Sequence, residues 1–310
     1  MKRVIAALWV LVCVAFLVRM RVEASSHAES PEADAQFGPW SPPVNLGPIV
    51  NSATNEAGPA ISRDGLSLYF HSSRGVAPPN PDVYVSRRKA IDLPWEAPVS
   101  LGAILNADVV HAGPTLSRNG HLMFFGSFRS GSFDILVSRR TKTHDDFAWE
   151  AGVPLPAPIN GSSFDVPSDY FEDPHGGAEL YFASDRGNGL GPAGLHIYVT
   201  HVRHDGTWSD PQYVAELNSA FVDDRPTVRA DGLEVILNSS REGNLDLYVS
   251  RRNHVWEPWS TPESLGLTVN SAAADLHPTL SADGRTLYFA SSRSGNFDLY
   301  ASTRSKTLGD

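Results

Sequence analysis

Cysteine is all but missing from this chain of 310 residues: Cys13 is the only one, and it lies in an apolar N-terminal segment. A disulfide framework and a cysteine-based metal site are therefore excluded for everything downstream. Helical periodicity is missing too, since no stretch beyond that segment repeats its apolar positions every 3.6 residues. Positive charge is scarce, with 25 Lys and Arg against 35 Asp and Glu and a formal net charge of −10. Such a surface repels phosphate backbones, and no basic stripe with interleaved aromatics offsets it, so no nucleic-acid partner is expected. The motifs G-x-S-x-G and H-E-x-x-H, the phosphate-cradling P-loop and the dinucleotide-binding fingerprint do not occur.

The first 24 residues hold the one long apolar run. Lys2 and Arg3 precede fifteen apolar residues from Val4 to Val18, and Val22-Glu23-Ala24 leads into a polar stretch. Fifteen residues suit an export signal cleaved near Ala24, because a membrane span needs about 20. Arg19 and Arg21 directly after the run are unusual for a cleaved signal and leave an uncleaved anchor open. Loss of the segment removes four positive charges and one negative, taking the formal charge from −10 to −13. Either way the chain is expected in the periplasm or outside the cell, as a monomer with no further membrane span.

What is present in abundance is repetition. SADGRTLYFASSRSGNFDLYASTR (281–304) is echoed by RADGLEVILNSSREGNLDLYVSRR (229–252) and by SRNGHLMFFGSFRSGSFDILVSRR (117–140). The arginine of this element recurs at Arg74, Arg129, Arg186, Arg241 and Arg293, at spacings of 55, 57, 55 and 52. A tryptophan recurs as W-x-x-P or close to it at Trp40, Trp95, Trp149, Trp208 and Trp259. Each of five units carries four strand signals: the tryptophan segment, a P-T-L-S run, a Leu-Tyr-Phe-like triplet and an Asp-Leu-Tyr-Val-like end. A D-G or N-G turn separates the second from the third in four units, at Asp64-Gly65, Asn119-Gly120, Asp231-Gly232 and Asp283-Gly284.

Four short antiparallel strands cannot bury both faces alone, and stacking five such sheets radially does so. The P-x-L-S-x-D-G-x-x-L-Y-F-x-S-x-R…D-L-Y-V-S pattern resembles the WD-like β-propeller repeat of the TolB type from Trp40 to Arg304. The expected fold is all-β: a five-bladed propeller over 40–304, preceded by a linker at 25–39 and followed by a tail at 305–310. Because the chain starts on a tryptophan strand and ends on a D-L-Y strand, Trp40–Leu46 is expected to complete the last blade and leave no open sheet edge. The tryptophans then pack between blades.

Repeated chemistry is usually scaffold. Arg129/Asp134, Arg241/Asp246 and Arg293/Asp298 bracket the same tight loop and are expected to pair locally. Arg87-Arg88, Arg139-Arg140 and Arg251-Arg252 read as solvated strand ends, with a basic rim as the alternative. His201 and His204 lack a third ligand. Asn160 and Asn238 head glycosylation sequons that matter only in a glycosylating host.

The loop entering each inner strand is more informative, because it opens at the central channel. Three residues before its proline stand Glu56, His111, Asp223 and Asp275, and two before it stands Asp165, with Asp224 and His277 adjacent. These residues either form a charged ring that binds a cation or a polyhydroxylated ligand, or each caps its own loop. No cofactor is expected, Ca²⁺ being the one ion such a ring would suit. Long loops at RGVAPPNPD and RGNGLGPAGLH, the latter ending in His196 where an aspartate is usual, fall on the same face and place the candidate site there. The TolB resemblance implies an exported, non-enzymatic module binding a protein or carbohydrate. The alternative is a five-bladed glycoside hydrolase using the channel-mouth carboxylates.

Overall fold

The computed structural model describes residues 36–75, 81–106, 111–128, 131–173, 176–187 and 194–307. The N-terminal segment expected to direct export lies outside them, as do Arg129 and most of the two long loops. Among the described residues every regular element is a strand.

β1 (Gln36–Phe37) and β2 (Val44–Asn45) precede the first complete blade, which is β3 (Glu56–Ile61), β4 (Ser67–Ser72), β5 (Asp82–Arg87) and β6 (Val99–Ser100). Blade two is β7 (His111–Leu116), β8 (Leu122–Ser127), β9 (Asp134–Arg139) and β10 (Val153–Pro154). Blade three is β11 (Asp165–Glu172), β12 (Ala178–Ser184), β13 (His196–His201) and β14 (Gln212–Tyr213). Blade four is β15 (Asp223–Val228), β16 (Glu234–Ser239), β17 (Asp246–Arg251) and β18 (Glu263–Ser264). Blade five is β19 (Asp275–Leu280), β20 (Thr286–Ser291) and β21 (Asp298–Thr303), completed by β2; β22 (Lys306–Thr307) follows. The inner strands β3, β7, β11, β15 and β19 touch one another in a closed cycle around one axis. The ring is a five-bladed propeller.

Closure occurs where the repeat demands it. Val44 pairs with Ala301 and Asn45 with Tyr300, so the first tryptophan strand becomes the outer strand of the last blade. A second latch lies in segments expected to be linker and tail: Gln36 pairs with Thr307 and Phe37 with Lys306. Phe37 is clamped between the Arg229 and Arg304 guanidiniums, 4.7 and 3.9 Å from its ring centre.

The Leu-Tyr-Phe triplets explain the packing through the two-residue period of a strand. Leu68 and Phe70 face the interface with blade five, while Tyr69 faces blade two. Leu287 and Phe289 turn to blade four and Tyr288 to blade one. Each triplet thus feeds two interfaces, and the buried apolar residues form five clusters, one per interface. Side chains such as Tyr69 and Phe70, with no exposed surface, contribute about 1.5–3 kcal/mol each. The tryptophans belong to this packing. Arg88, Arg140, Arg252 and Arg304 lie over Trp95, Trp149, Trp259 and Trp40 at 4.0–4.3 Å. Each also donates through Nε to the glycine carbonyl of its blade's D-G or N-G turn, at 2.7–2.8 Å. The second arginine of each pair is therefore a pin holding the turn to the outer strand, which corrects the expectation of solvated strand ends.

Candidate functional site

In each blade the loop into the inner strand and the loop between the second and third strands share one end, the upper face. The short turns between the first two strands lie on the lower face. The expected upper-face acids stand at the first position of their inner strands, and all are fully buried. Arg241 Nη2 meets Asp223 Oδ1 at 2.6 Å, Arg293 meets Asp275 at 2.5 Å, Arg186 meets Asp165 at 2.7 Å and Arg74 meets Glu56 at 3.0 Å. The arginines thus pair with the acid opening the inner strand of their own blade. Arg241 and Arg293 do not pair with Asp246 and Asp298, as the loop sequences had suggested. Asp298 instead accepts from Asn45, Ser294 and Asn296.

In blades one, four and five the remaining oxygens are also engaged, whereas Asp165 Oδ2 of blade three is buried without a hydrogen-bond partner. Ser219 and Ser271 donate both backbone N–H and hydroxyl to Asp223 and Asp275, and Ser52 does the same to Glu56. Each arginine Nε rests on a serine hydroxyl of its own second strand, at 2.7–3.0 Å. The arrangement repeats in four blades and braces the loop entering each. Among the described residues no three His, Cys, Asp or Glu side chains converge as metal ligands. His111 takes the acid's place in blade two, edge-on to Phe125 at 5.6 Å, and His196 is buried edge-on to Tyr213 at 5.9 Å.

A second repeated device uses the loop asparagines. Asn51, Asn106, Asn160, Asn218 and Asn270 each pair their amide with the N–H and C=O of one third-strand residue, such as Val83 for Asn106 at 2.8 and 2.9 Å. Asn160 Nδ2 serves Ile135 O and Leu155 O, and the Asn238 side chain is buried against Asp224. Neither sequon presents a free amide.

The channel itself departs from the repeat. Just before the inner-strand proline the backbone is left-handed in four blades, at Gly58 (φ 58), Gly113 (φ 61), Arg225 (φ 51) and His277 (φ 55). Only two of these are glycine, and no other described non-glycine residue has positive φ. Strain of this kind persists where surrounding structure over-determines it, and it concentrates at functional sites. A β-bulge accompanies each. Asp224 lies beside Arg225 and accepts from Asn238 Nδ2, while His277 N–H donates to Asn238 Oδ1 at 3.1 Å. His71, from the second strand of blade one, has its ring 5.9 Å from that of His277 and accepts at Nδ1 from Gly113 N–H at 3.2 Å.

Lower in the channel the inner strands present Ala60, Thr115, Asp169, Thr227 and Thr279, matched by register to Tyr69, Phe124, Tyr181, Ile236 and Tyr288. Blade three alone supplies a carboxyl. Asp169 accepts from Val228 N–H of blade four at 2.7 Å and bonds the Thr115 hydroxyl of blade two, so it ties together the blades on either side of its own. It lines a cavity of about 110 Å³ at the lower mouth, with Arg63, Arg118 and Glu172 at the rim.

Burial sets the protonation of these groups. It pushes the Asp169 carboxyl up to about 7, against the pull of its hydrogen bonds. Burial likewise pushes Asp224 up to about 6, although the Arg225 charge and the Asn238 amide act in the opposite direction. His71 is lowered to about 3 and His277 well below its ordinary value, by burial first and by the Arg225 charge second, so both imidazoles are neutral. Asp169, Arg225 and His71 were not singled out from the sequence. Each occurs once, and only aligning the blades column by column reveals Asp169 among threonines and Arg225 among glycines.

No family model matches the chain, and no curated protein matches it. Solved structures do. The catalytic domain of a GH62 α-L-arabinofuranosidase from Coprinopsis cinerea is 14% identical, with a TM-score of 0.59, covering 88% of this chain and 99% of that one. An α-L-arabinofuranosidase from Lactobacillus brevis is 14% identical, with a TM-score of 0.58, covering 86% and 94%. An endo-arabinase from Bacteroides thetaiotaomicron is 19% identical, with a TM-score of 0.54, covering 84% and 100%. A putative TolB from Agrobacterium tumefaciens, 16% identical, reaches a TM-score of only 0.49, and the TolB type expected from the repeat is not confirmed. At these identities the likeness shows the fold. It also corrects the expectation of a non-enzymatic binding module, which rested on analogy with TolB-type propellers. Arabinofuranosidases, arabinanases and a family-43 glycoside hydrolase superpose on this chain at TM-scores of 0.54–0.59.

Proposed function

We propose that this chain is an exported glycoside hydrolase whose reacting groups lie on the propeller axis, with Asp169 as general acid and Asp224 as the ionised partner. The observation that carries the reading is Asp169, the one carboxyl in a ring of threonines and alanine, open to the lower cavity. Glycoside hydrolysis needs one carboxyl protonated and one ionised near the working pH, flanking the bond about 5–9.5 Å apart. Values near 7 and 6 put the two groups in those states between them. The ladder partners of Asp224 and Thr227, the latter level with Asp169, are Asn238 and Ile236. Two residues along a strand place the two levels about 7 Å apart along the blade, which is an offset of levels and not the separation of the carboxyls. Glu56, Asp223 and Asp275 suit this chemistry less, because both oxygens of each are held by arginine and serine donors.

Arabinose-containing glycans are the first substrates to try, by analogy with the arabinanases and arabinofuranosidases that share the fold. The TolB-type blade pattern is then a kinship of repeats that carries no activity with it. The test is turnover of arabinan, xylan and aryl arabinosides by the full chain and by Asp169→Asn and Asp224→Asn. Turnover in the wild type falling at least about a hundredfold in each variant is expected for loss of acid–base catalysis. A folded wild type inert on every substrate overturns the reading.

A further inference from the structure

One guanidinium in the channel has too few partners. Among the described residues the only hydrogen bond of Arg225 is Nη1 to Pro167 O at 2.9 Å, and no carboxylate lies within ion-pair distance. Five donors on one half-buried cation call for an acceptor. Arg225 is nevertheless partly exposed to the channel, as are His71 and His277. Its place depends on blade two: a Cβ on Gly113 would stand 2.0 Å from Nη1 and 2.9 Å from Cζ. Gly58 is equally constrained, since a Cβ there would stand 2.7 Å from His71 Nδ1 and 3.1 Å from the Gly113 Cα. Two glycines thus clear the space that the guanidinium and the imidazole occupy. His277 Nδ1 is buried without a hydrogen-bond partner. Asp224, the neighbouring negative group, is held by the Asn238 amide.

We infer that the middle of the channel is an anion site that takes a carboxylate, in substrate the carboxylate of a uronosyl residue. A planar guanidinium grips a carboxylate through two parallel N–H···O bonds, and neutral imidazoles add a donor each. One arginine balances one charge, and with Asp224 and Asp169 nearby a dianionic phosphate is disfavoured. The anion site stands on the Arg225 geometry alone. Its assignment to a sugar carboxylate rests on the glycoside hydrolase reading.

The test is calorimetric titration of the full chain with galacturonate and glucuronate, against galactose, glucose and acetate. Both uronates should bind, and the neutral sugars should bind at least about tenfold more weakly, as for loss of a charge-assisted hydrogen bond. Arg225→Gly should abolish the preference while keeping the fold, because blades one and two already carry glycine with the same backbone. Asp224→Asn should tighten uronate binding by removing a nearby negative charge, while on the hydrolase reading it loses turnover. Acetate binding as well as the uronates would keep the anion site but assign it to a free carboxylate. Uronates and neutral sugars binding alike, uronate binding unchanged in Arg225→Gly, or no binding at all would overturn the inference. Turnover of a neutral glycan would survive that outcome, and uronate binding would survive absence of turnover, so the two failures are distinguishable.

Discussion

Asp223 and Asp224 are neighbours on one strand and live in opposite settings. Asp223 turns to the loop brace, where Arg241 and both donors of Ser219 satisfy it. Asp224 turns to the channel, where burial pushes its carboxyl up to about 6 and Asn238 is its hydrogen-bond partner. The arginine pairing recurs in four blades and the serine donors in three, whereas the second setting occurs once. Repetition marks what the ring needs to stand, and its breach marks where chemistry has been placed. A carboxylate with every lone pair engaged stabilises the fold, whereas one held in a strained, under-solvated channel is poised to exchange a proton.

The largest effect should come from removing what both settings share. Deleting residues 1–52 removes β1, β2 and the Asn51 clamp on Leu299, leaving the outer edge of blade five unpaired. Such a chain should lose cooperative unfolding and aggregate. A melting curve like that of the full chain would show that closure is dispensable. Next is the brace itself. Arg241→Ala strands the buried Asp223 charge and should lower unfolding free energy by about 3 kcal/mol. Glu234→Ala, which strands Arg304 and loosens Arg229 and Arg251, should act comparably. Denaturant titration reads both, and a change under about 1 kcal/mol would make the brace ornamental.

The channel should respond to pH in a way the braces do not explain. Asp169 and Asp224 hold protons more firmly folded than unfolded, so their contribution to stability is full below about pH 3.8. It is lost as pH rises through about 6 for Asp224 and about 7 for Asp169. At about 1.4 kcal/mol per pKa unit, discounted for solvent in the channel, each loss should be about 2 kcal/mol. Asp169→Asn and Asp224→Asn should each flatten the fall between about pH 4 and pH 7 in urea melts. An unchanged slope in both variants would mean that neither carboxyl titrates there. The smallest effect belongs to the left-handed positions. His277→Gly relieves backbone strain at the loss of one side chain and should change stability by no more than about 1 kcal/mol.

The same contrast explains what could be read in advance. Five units, four strands each and closure by the first tryptophan strand follow from spacing, because every blade must solve the same burial problem. The β1–β22 latch escaped, since two residues on each side carry no pattern. So did the partner choice of Arg241: Asp246 is nearer in sequence, but Asp223 is brought opposite by the hairpin register of β15 and β16. Asp224 and His277 were noted only as neighbours of the acid ring. Asp169 was hidden because blade three loses its D-G turn and the bulge shifts its register between Pro167 and Asp169. Residues that occur once are invisible to a reading built on repetition.

The placement of catalysis on the axis is tested most directly by the pH dependence of kcat/KM on an aryl arabinoside. The expected profile is a bell with limbs near 6 and 7, reporting the ionised and protonated channel carboxyls as a coupled pair. Asp224→Asn should remove the acidic limb and Asp169→Asn the alkaline one, each from a much reduced rate. Turnover that keeps both limbs and its full rate in both variants would contradict it.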